Sequence, residues 1–323
     1  MPKRNLLLSS ISISTVILSL VLIYLITANS ASSAYAAAEQ QQYSMVGKWG
    51  SRGSGNGKFS QPLDIAIDRS GNVYVGDFGN AQNGIQKFTS NGTFITSWGQ
   101  LGSGNGLFTN PAGLAIDASG NIYVSDFGNA QNGIQKFTSN GTFITSWGST
   151  GLGDGQFINP GGIAVDSAGN VYVGDFAANN RIQKFDSNGK FITKWGTSGT
   201  DDGQFMTPAD IVTDKVGNLY VVDAGNDRIQ KFDSNGKFIT KWGTTGSANG
   251  QLSRPIGIAI DSSGNIYVCD NANDRIQKFD SNGKFITKWS VNTPGGIAVG
   301  PSGNIYVVNQ NSASVEIYSP VSP

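Results

Sequence analysis

No histidine occurs in the 323 residues, glutamate stands only at Glu39 and Glu316, and Cys269 is the one cysteine. These absences exclude whole classes of chemistry. Without histidine there is no histidine-ligated zinc, no Ser-His-Asp triad and no imidazole general base within the chain. A single cysteine excludes an intrachain disulfide. Charge is scarce too: 14% of residues, with 22 basic against 22 acidic and no large basic block. That argues against a nucleic-acid partner, which needs a positive surface. Metal binding, if any, is left to oxygen ligands.

Glycine, by contrast, is abundant, with 44 residues, and tryptophan is periodic. Trp49, Trp98, Trp147, Trp195, Trp242 and Trp289 follow one another at spacings of 49, 49, 48, 47 and 47 residues. A fixed period of this size marks a repeat architecture. The unit is plainest at 264–289, GNIYVCDNANDRIQKFDSNGKFITKW, and returns at 217–242 and 169–195, with looser copies at 71–98 and 120–147. An incomplete copy begins at Gly303.

Each unit contains four short β-branched and aromatic runs, here called strands a, b, c and d, separated by Asn/Gly turns that suit hairpins. Four strands apolar on both faces need like sheets on either side, as in a propeller blade. The predicted fold is therefore all-β, a six-bladed β-propeller of four-stranded antiparallel blades. The last copy stops after strand c, whereas Tyr43–Trp49 is a spare d-type strand ahead of the first a strand. The N-terminal strand is expected to complete the last blade and remove the open edge.

The unit resembles the NHL repeat family of six-bladed propellers, in the motifs at 160–166 (PGGIAVD), 169–175 (GNVYVGD) and 180–185 (NRIQKF). The resemblance covers about 43–318 and implies fold more than function, because related propellers include RNA-binding modules, extracytoplasmic sensors, and lyases or lactonases. RING, B-box and coiled-coil segments of the ubiquitin-ligase members are lacking. So are the histidines used by the zinc-dependent amidating lyase and the streptogramin lyase, so those activities do not carry over.

Lys3 and Arg4 precede an apolar run from Leu6 to Ile26, followed by small residues up to Ala38. Residues 1–38 read as a signal peptide or a retained signal anchor, 39–42 as a short linker and 43–323 as the propeller. The body is expected outside the cytoplasm, secreted or cell-surface, touching membrane only through the N-terminal segment.

Function needs positions that break the repeat. The a–b and c–d turns have constant length. The b–c loop shortens from eight residues (Asp77 to Ile85) to six (Asp270 to Ile276). The d–a connection is thirteen residues from Trp to Pro in five cases and five between Trp289 and Pro294. Up-and-down topology puts both variable connections on one face, where binding is expected. One residue before the Ile-Ala-Val-Asp run, four blades carry Gly113, Gly162, Gly257 and Gly296, while blades 1 and 4 carry Asp64 and Asp210. These opposed carboxylates would look across one mouth of the channel. They are the candidate site for a cation, for which calcium is one candidate and no cofactor is required, or for a cationic ligand. The alternative is Asp/Gly interchange in a solvated loop.

Other features read as structural. Gly53–Gly57 imitates a phosphate loop but recurs without a following helix. Asp77, Asp126, Asp175, Asp223 and Asp270 are expected to fix the b–c loops, pairing with Arg181, Arg228 and Arg275 where present. Cys269 reads as a buried filler and Lys190, Lys194, Lys237, Lys241, Lys284 and Lys288 as a solvated rim. Asn91 and Asn140 head glycosylation sequons. The expected function is a non-enzymatic, monomeric binding or scaffold propeller for a protein, glycan or small ligand. The alternative is a divalent-metal-assisted lyase or lactonase at the channel mouth, near Asp64 and Asp210.

Overall fold

Alternating β-branched and aromatic residues between positive-φ glycines fold each repeat into a four-stranded antiparallel sheet. In the first blade these are strands a (Gln61–Ile67), b (Val73–Phe78), c (Ile85–Phe88) and d (Phe94–Trp98). The computed structural model describes residues 42–321 apart from 81, 83 and 132. Within them stand six such sheets, the six blades expected from the repeat. The signal or anchor expectation, on residues 1–38, lies outside the described residues. Among the described residues no helix is long and apolar enough to cross a membrane.

The ring closes as the spare strand requires. Blade 6 joins Pro294–Val299, Ile305–Asn309 and Ser314–Pro320 to Tyr43–Trp49 as its outer strand. Lys48 lies opposite Glu316 in that register and its Nζ stands 3.1 Å from Glu316 Oε1.

Apolar side chains of neighbouring sheets fill the wedges between blades. Tyr74, Ile85, Phe108, Leu114, Val124 and Phe137 form one such cluster. Five of the six periodic tryptophans cover a glycine of the next blade's c–d turn, and the sixth, Trp289, stacks on Tyr43. A Cβ at Gly141 would fall 2.6 Å from the Trp98 ring, and its φ of +85° also favours glycine. Period and turn chemistry are thus one constraint.

The strand-b aspartates tie the variable face down. Asp77 accepts from the Ser60 N–H (2.9 Å), the Gln61 N–H (2.8 Å) and Asn80 Nδ2 (2.7 Å), joining d–a connection to b–c loop. In blades 3 to 5 an arginine joins in: Nε of Arg181, Arg228 and Arg275 lies 3.3, 2.7 and 2.6 Å from its aspartate. A strand-c glutamine completes the clamp, Gln86 accepting from the Gly57 N–H and donating to the Lys58 carbonyl. Blade 6 has only the five-residue connection to hold. There Glu316 replaces the glutamine, 4% exposed, and takes Lys48, Asn309 and Tyr318 as partners. Val291, buried in that short connection, fills the anchor place that Phe59 and its equivalents fill elsewhere.

Candidate functional site

Strand a lines the central channel, and its register slips in every blade just after the proline: between Pro62 and Asp64, Pro111 and Gly113, Pro208 and Asp210, Pro255 and Gly257. In blades 3 and 6 the slip runs from Pro160 to Ile163 and from Pro294 to Ile297, spanning the glycine pairs. A bulge re-aims the residue that follows it. The Asp/Gly position therefore sits on a built kink in the innermost strand, which corrects the solvated-loop reading.

The glycines are there for space. A Cβ at Gly162 would lie 2.3 Å from the Asp210 Cα, and one at Gly296 would lie 2.6 Å from the Asp64 Cα. At Gly113 and Gly257 it would lie 2.6 and 2.4 Å from the carbonyl oxygens of Gly161 and Gly295. Neighbouring backbones occupy the places where side chains would be.

Asp64 and Asp210 brace the same ring. Asp64 accepts from its neighbour's Ile65 N–H (2.8 Å) and from the Leu114 N–H of blade 2 (2.7 Å). Asp210 repeats this with Ile211 (2.8 Å) and with Ile258 of blade 5 (2.9 Å). Both line one channel cavity of about 250 Å³. Burial pushes Asp64 up from the ordinary 3.8 to about 6, against the opposing pull of its two N–H donors. Burial, and next the Asp64 charge, push Asp210 well above 3.8. The two carboxylates sense each other across the channel. Among the described residues no third acidic or thiol ligand joins them as a metal cluster.

The ring has a two-fold order that the overall repeat hides. Going round it stand Asp64, Gly113 and Gly162, then Asp210, Gly257 and Gly296. The strand-b partners follow suit in blades 2 and 5. Ser125 accepts from the Gly113 N–H and donates to the Gly161 carbonyl, while Cys269 is fully buried against Gly257, its thiol pushed up by burial.

Outside the ring the two halves part. Directly after the strand-b aspartate, blades 1 to 3 carry Phe78, Phe127 and Phe176, all half-buried. Blades 4 to 6 carry Ala224, Asn271 and Gln310 at the same place. Phe127 and Phe176 stack across blades with centroids 5.8 Å apart and planes 12° apart. Phe176 overlies Gly161, and Gln310 overlies Gly295 in the opposite half. Sequence reasoning picked out the b–c loops of blades 1 to 3 but missed these rings. The signal was the one that exposed Asp64, a residue type confined to some blades. Asn91 and Asn140 are exposed on the c–d turns of the opposite face.

A sequence model of the NHL repeat matches residues 108–131, 157–185 and 252–279. No curated protein sequence matches the chain. Solved structures share its fold. A Bacteroides thetaiotaomicron protein of unknown function aligns with TM-score 0.66 at 16% identity, over 86% of this chain and 76% of that one. An auxiliary nutrient binding protein from the same organism aligns with TM-score 0.62 at 12% identity, over 86% and 72%. A catalytically inactive virginiamycin B lyase from Staphylococcus aureus, solved with quinupristin, aligns with TM-score 0.59 at 14% identity, over 87% and 100%. At these identities the likeness is one of fold.

Proposed function

We propose that this chain, an NHL-repeat six-bladed β-propeller, is an extracytoplasmic binding propeller whose ligand, a glycan, sits on the face of the b–c and d–a loops. The observation that carries the reading is the aromatic arc of Phe78, Phe127 and Phe176 beside the channel mouth. Apolar rings on one side of the mouth and polar side chains on the other suit a ligand with one flat apolar face and one polar face. A sugar ring has that form. Asn271 and Gln310 would face its hydroxyls, with Asp64 and Asp210 beneath. Loops clamped by buried aspartate, glutamine and arginine hold the site still, and rigidity limits the entropy lost on binding. The test is a panel of neutral and amino glycans offered to the wild type and to Phe127→Ala/Phe176→Ala. Binding that disappears in the variant supports the reading; binding that persists unchanged removes it.

Asp64 and Asp210 keep a second reading alive, a divalent-metal-assisted lyase or lactonase with its ion at this mouth. Each carboxylate oxygen already accepts one backbone N–H. Calcium takes six to eight oxygens, so an ion bound by these two side chains would complete its shell with water. A calcium-induced rise in melting temperature that vanishes in Asp64→Gly/Asp210→Gly would support it, and no rise in the wild type would dismiss it.

A further inference from the structure

The other mouth of the channel has its own asymmetry, on the face of constant turns. The second residue of the a–b turn is Arg69 in blade 1 and Lys215 in blade 4. It is Ala118, Ser167, Ser262 and Pro301 in the others. The two cations therefore stand on opposed blades, as the two carboxylates do at the far end. Both are exposed and both line a single cavity of about 490 Å³. Its wall also includes Ile67, Ile260 and Val299, which line the channel cavity as well. These three side chains make the wall of the mouth more apolar than polar, whereas the channel beyond it, which ends at Asp64 and Asp210, is mixed. From Asp64 to Ile67 that channel is roughly 10 Å long at the usual strand rise.

The remaining charges near this mouth cancel. Each turn aspartate is consumed locally: Asp68 accepts from the Ser70 and Asn72 N–H groups, from Asn72 Nδ2 and from the Tyr74 hydroxyl. The equivalent tyrosine of each complete blade lies under a lysine, with Nζ 4.8 to 5.3 Å from the ring centroid. Five lysines thereby balance five aspartates, and Arg69 and Lys215 are left over. Among the described residues Arg69 has no ion-pair partner. Lys215 is steadied by donating to the Ser262 carbonyl at 2.8 Å, which leaves two ammonium protons for a ligand. Beside it Val216 is 82% exposed where other turns carry small residues, adding an apolar rim.

We propose that this mouth binds a small amphipathic carboxylate, its head held by Arg69 and Lys215 and its aliphatic tail against the Ile67, Ile260 and Val299 wall of the same cavity. The geometry supplies both halves of the recognition. A guanidinium fork suits a carboxylate and an ammonium adds a point charge. The Ile67, Ile260 and Val299 wall takes hydrocarbon out of water. This site lies on the opposite face from the glycan reading and stands or falls without it.

The test is calorimetric titration of the full-length protein with octanoate, octanol and acetate. Arg69→Ser/Lys215→Ser is the matching variant, since serine is the residue of blades 3 and 5 at this position and the turn tolerates it. Octanoate is expected to bind the wild type roughly tenfold or more tightly than octanol or acetate, and the variant roughly tenfold or more weakly, with the melting temperature unchanged. Equal octanoate affinity in wild type and variant overturns the proposal. So does octanol binding as well as octanoate, or no octanoate binding to the wild type at millimolar concentration.

Discussion

Blades 1 to 3 and blades 4 to 6 build the same inner ring in the same order, Asp, Gly, Gly, and dress its mouth differently. In each half one carboxylate reaches over to the next blade's strand a, and in each half two glycines surrender their side-chain space to backbone. What is shared is therefore what packing demands. What differs is the layer above: phenylalanines against Ala224, Asn271 and Gln310, and longer b–c loops against short 3₁₀ turns at Ala224–Asn226 and Asn271–Asn273. Steric constraint accounts for the first set. The second set has no such compulsion, and it is there that the proposed recognition sits.

The largest effect separates equivalent aspartates of the two halves. Asp270 of blade 5 holds Arg275, whose side chain is 8% exposed, whereas Asp126 of blade 2 has no arginine to hold. Asp270→Asn leaves a buried guanidinium without its counter-ion, held only by the carbonyls of Ser247, Ala248 and Gln251, and is expected to cost about 3–5 kcal/mol of folding stability in chemical denaturation. Asp126→Asn, which replaces a carboxylate by an amide among neutral donors, is expected to cost about 1–2 kcal/mol.

pH acts next. Asp64 and Asp126 are each raised from 3.8 to about 6 in the folded protein, burial being the main cause in both. Between those values the folded state binds more protons than the unfolded chain, so their contribution makes stability fall as pH rises. It is full below about pH 4 and lost by about pH 6. The melting temperature is expected to decline across this window, and more shallowly in Asp64→Asn.

The two braces can be compared directly. Asp64→Gly and Asp210→Gly each orphan one N–H of the following blade, a cost of about 1–3 kcal/mol. The two-fold order of the ring predicts nearly equal losses. A clearly larger loss in one half would show that the halves differ in their frame as well as in their lining.

Most of the frame was legible in the sequence because it is written five times over. The tryptophan period, the Asn/Gly turns and the spare strand at Tyr43 each state one physical need, and the sheets follow them. The exchange of Gln for Glu316 was on view as well, though its reason, a missing thirteen-residue connection and an incoming Lys48, needed the register. The mouth was less legible. A glycine chosen for crowding and a glycine chosen for a turn are the same letter, so Gly162 and Gly296 looked like loop residues. Phe127 and Phe176, just past the strand-b aspartate, drew no attention as single letters, and only the assembled sheets show them stacked across two blades.

Removing those rings has the smallest effect on the fold and the most to say about function. Phe127→Ala/Phe176→Ala deletes half-buried side chains, with a cost of about 1–2 kcal/mol expected. The decisive measurement is glycan binding by that variant beside wild type under conditions where both are folded. Ligands captured by the wild type are expected to be lost from the variant and kept by Asn91→Gln/Asn140→Gln on the opposite face. Retention of the same ligands by Phe127→Ala/Phe176→Ala would contradict the account.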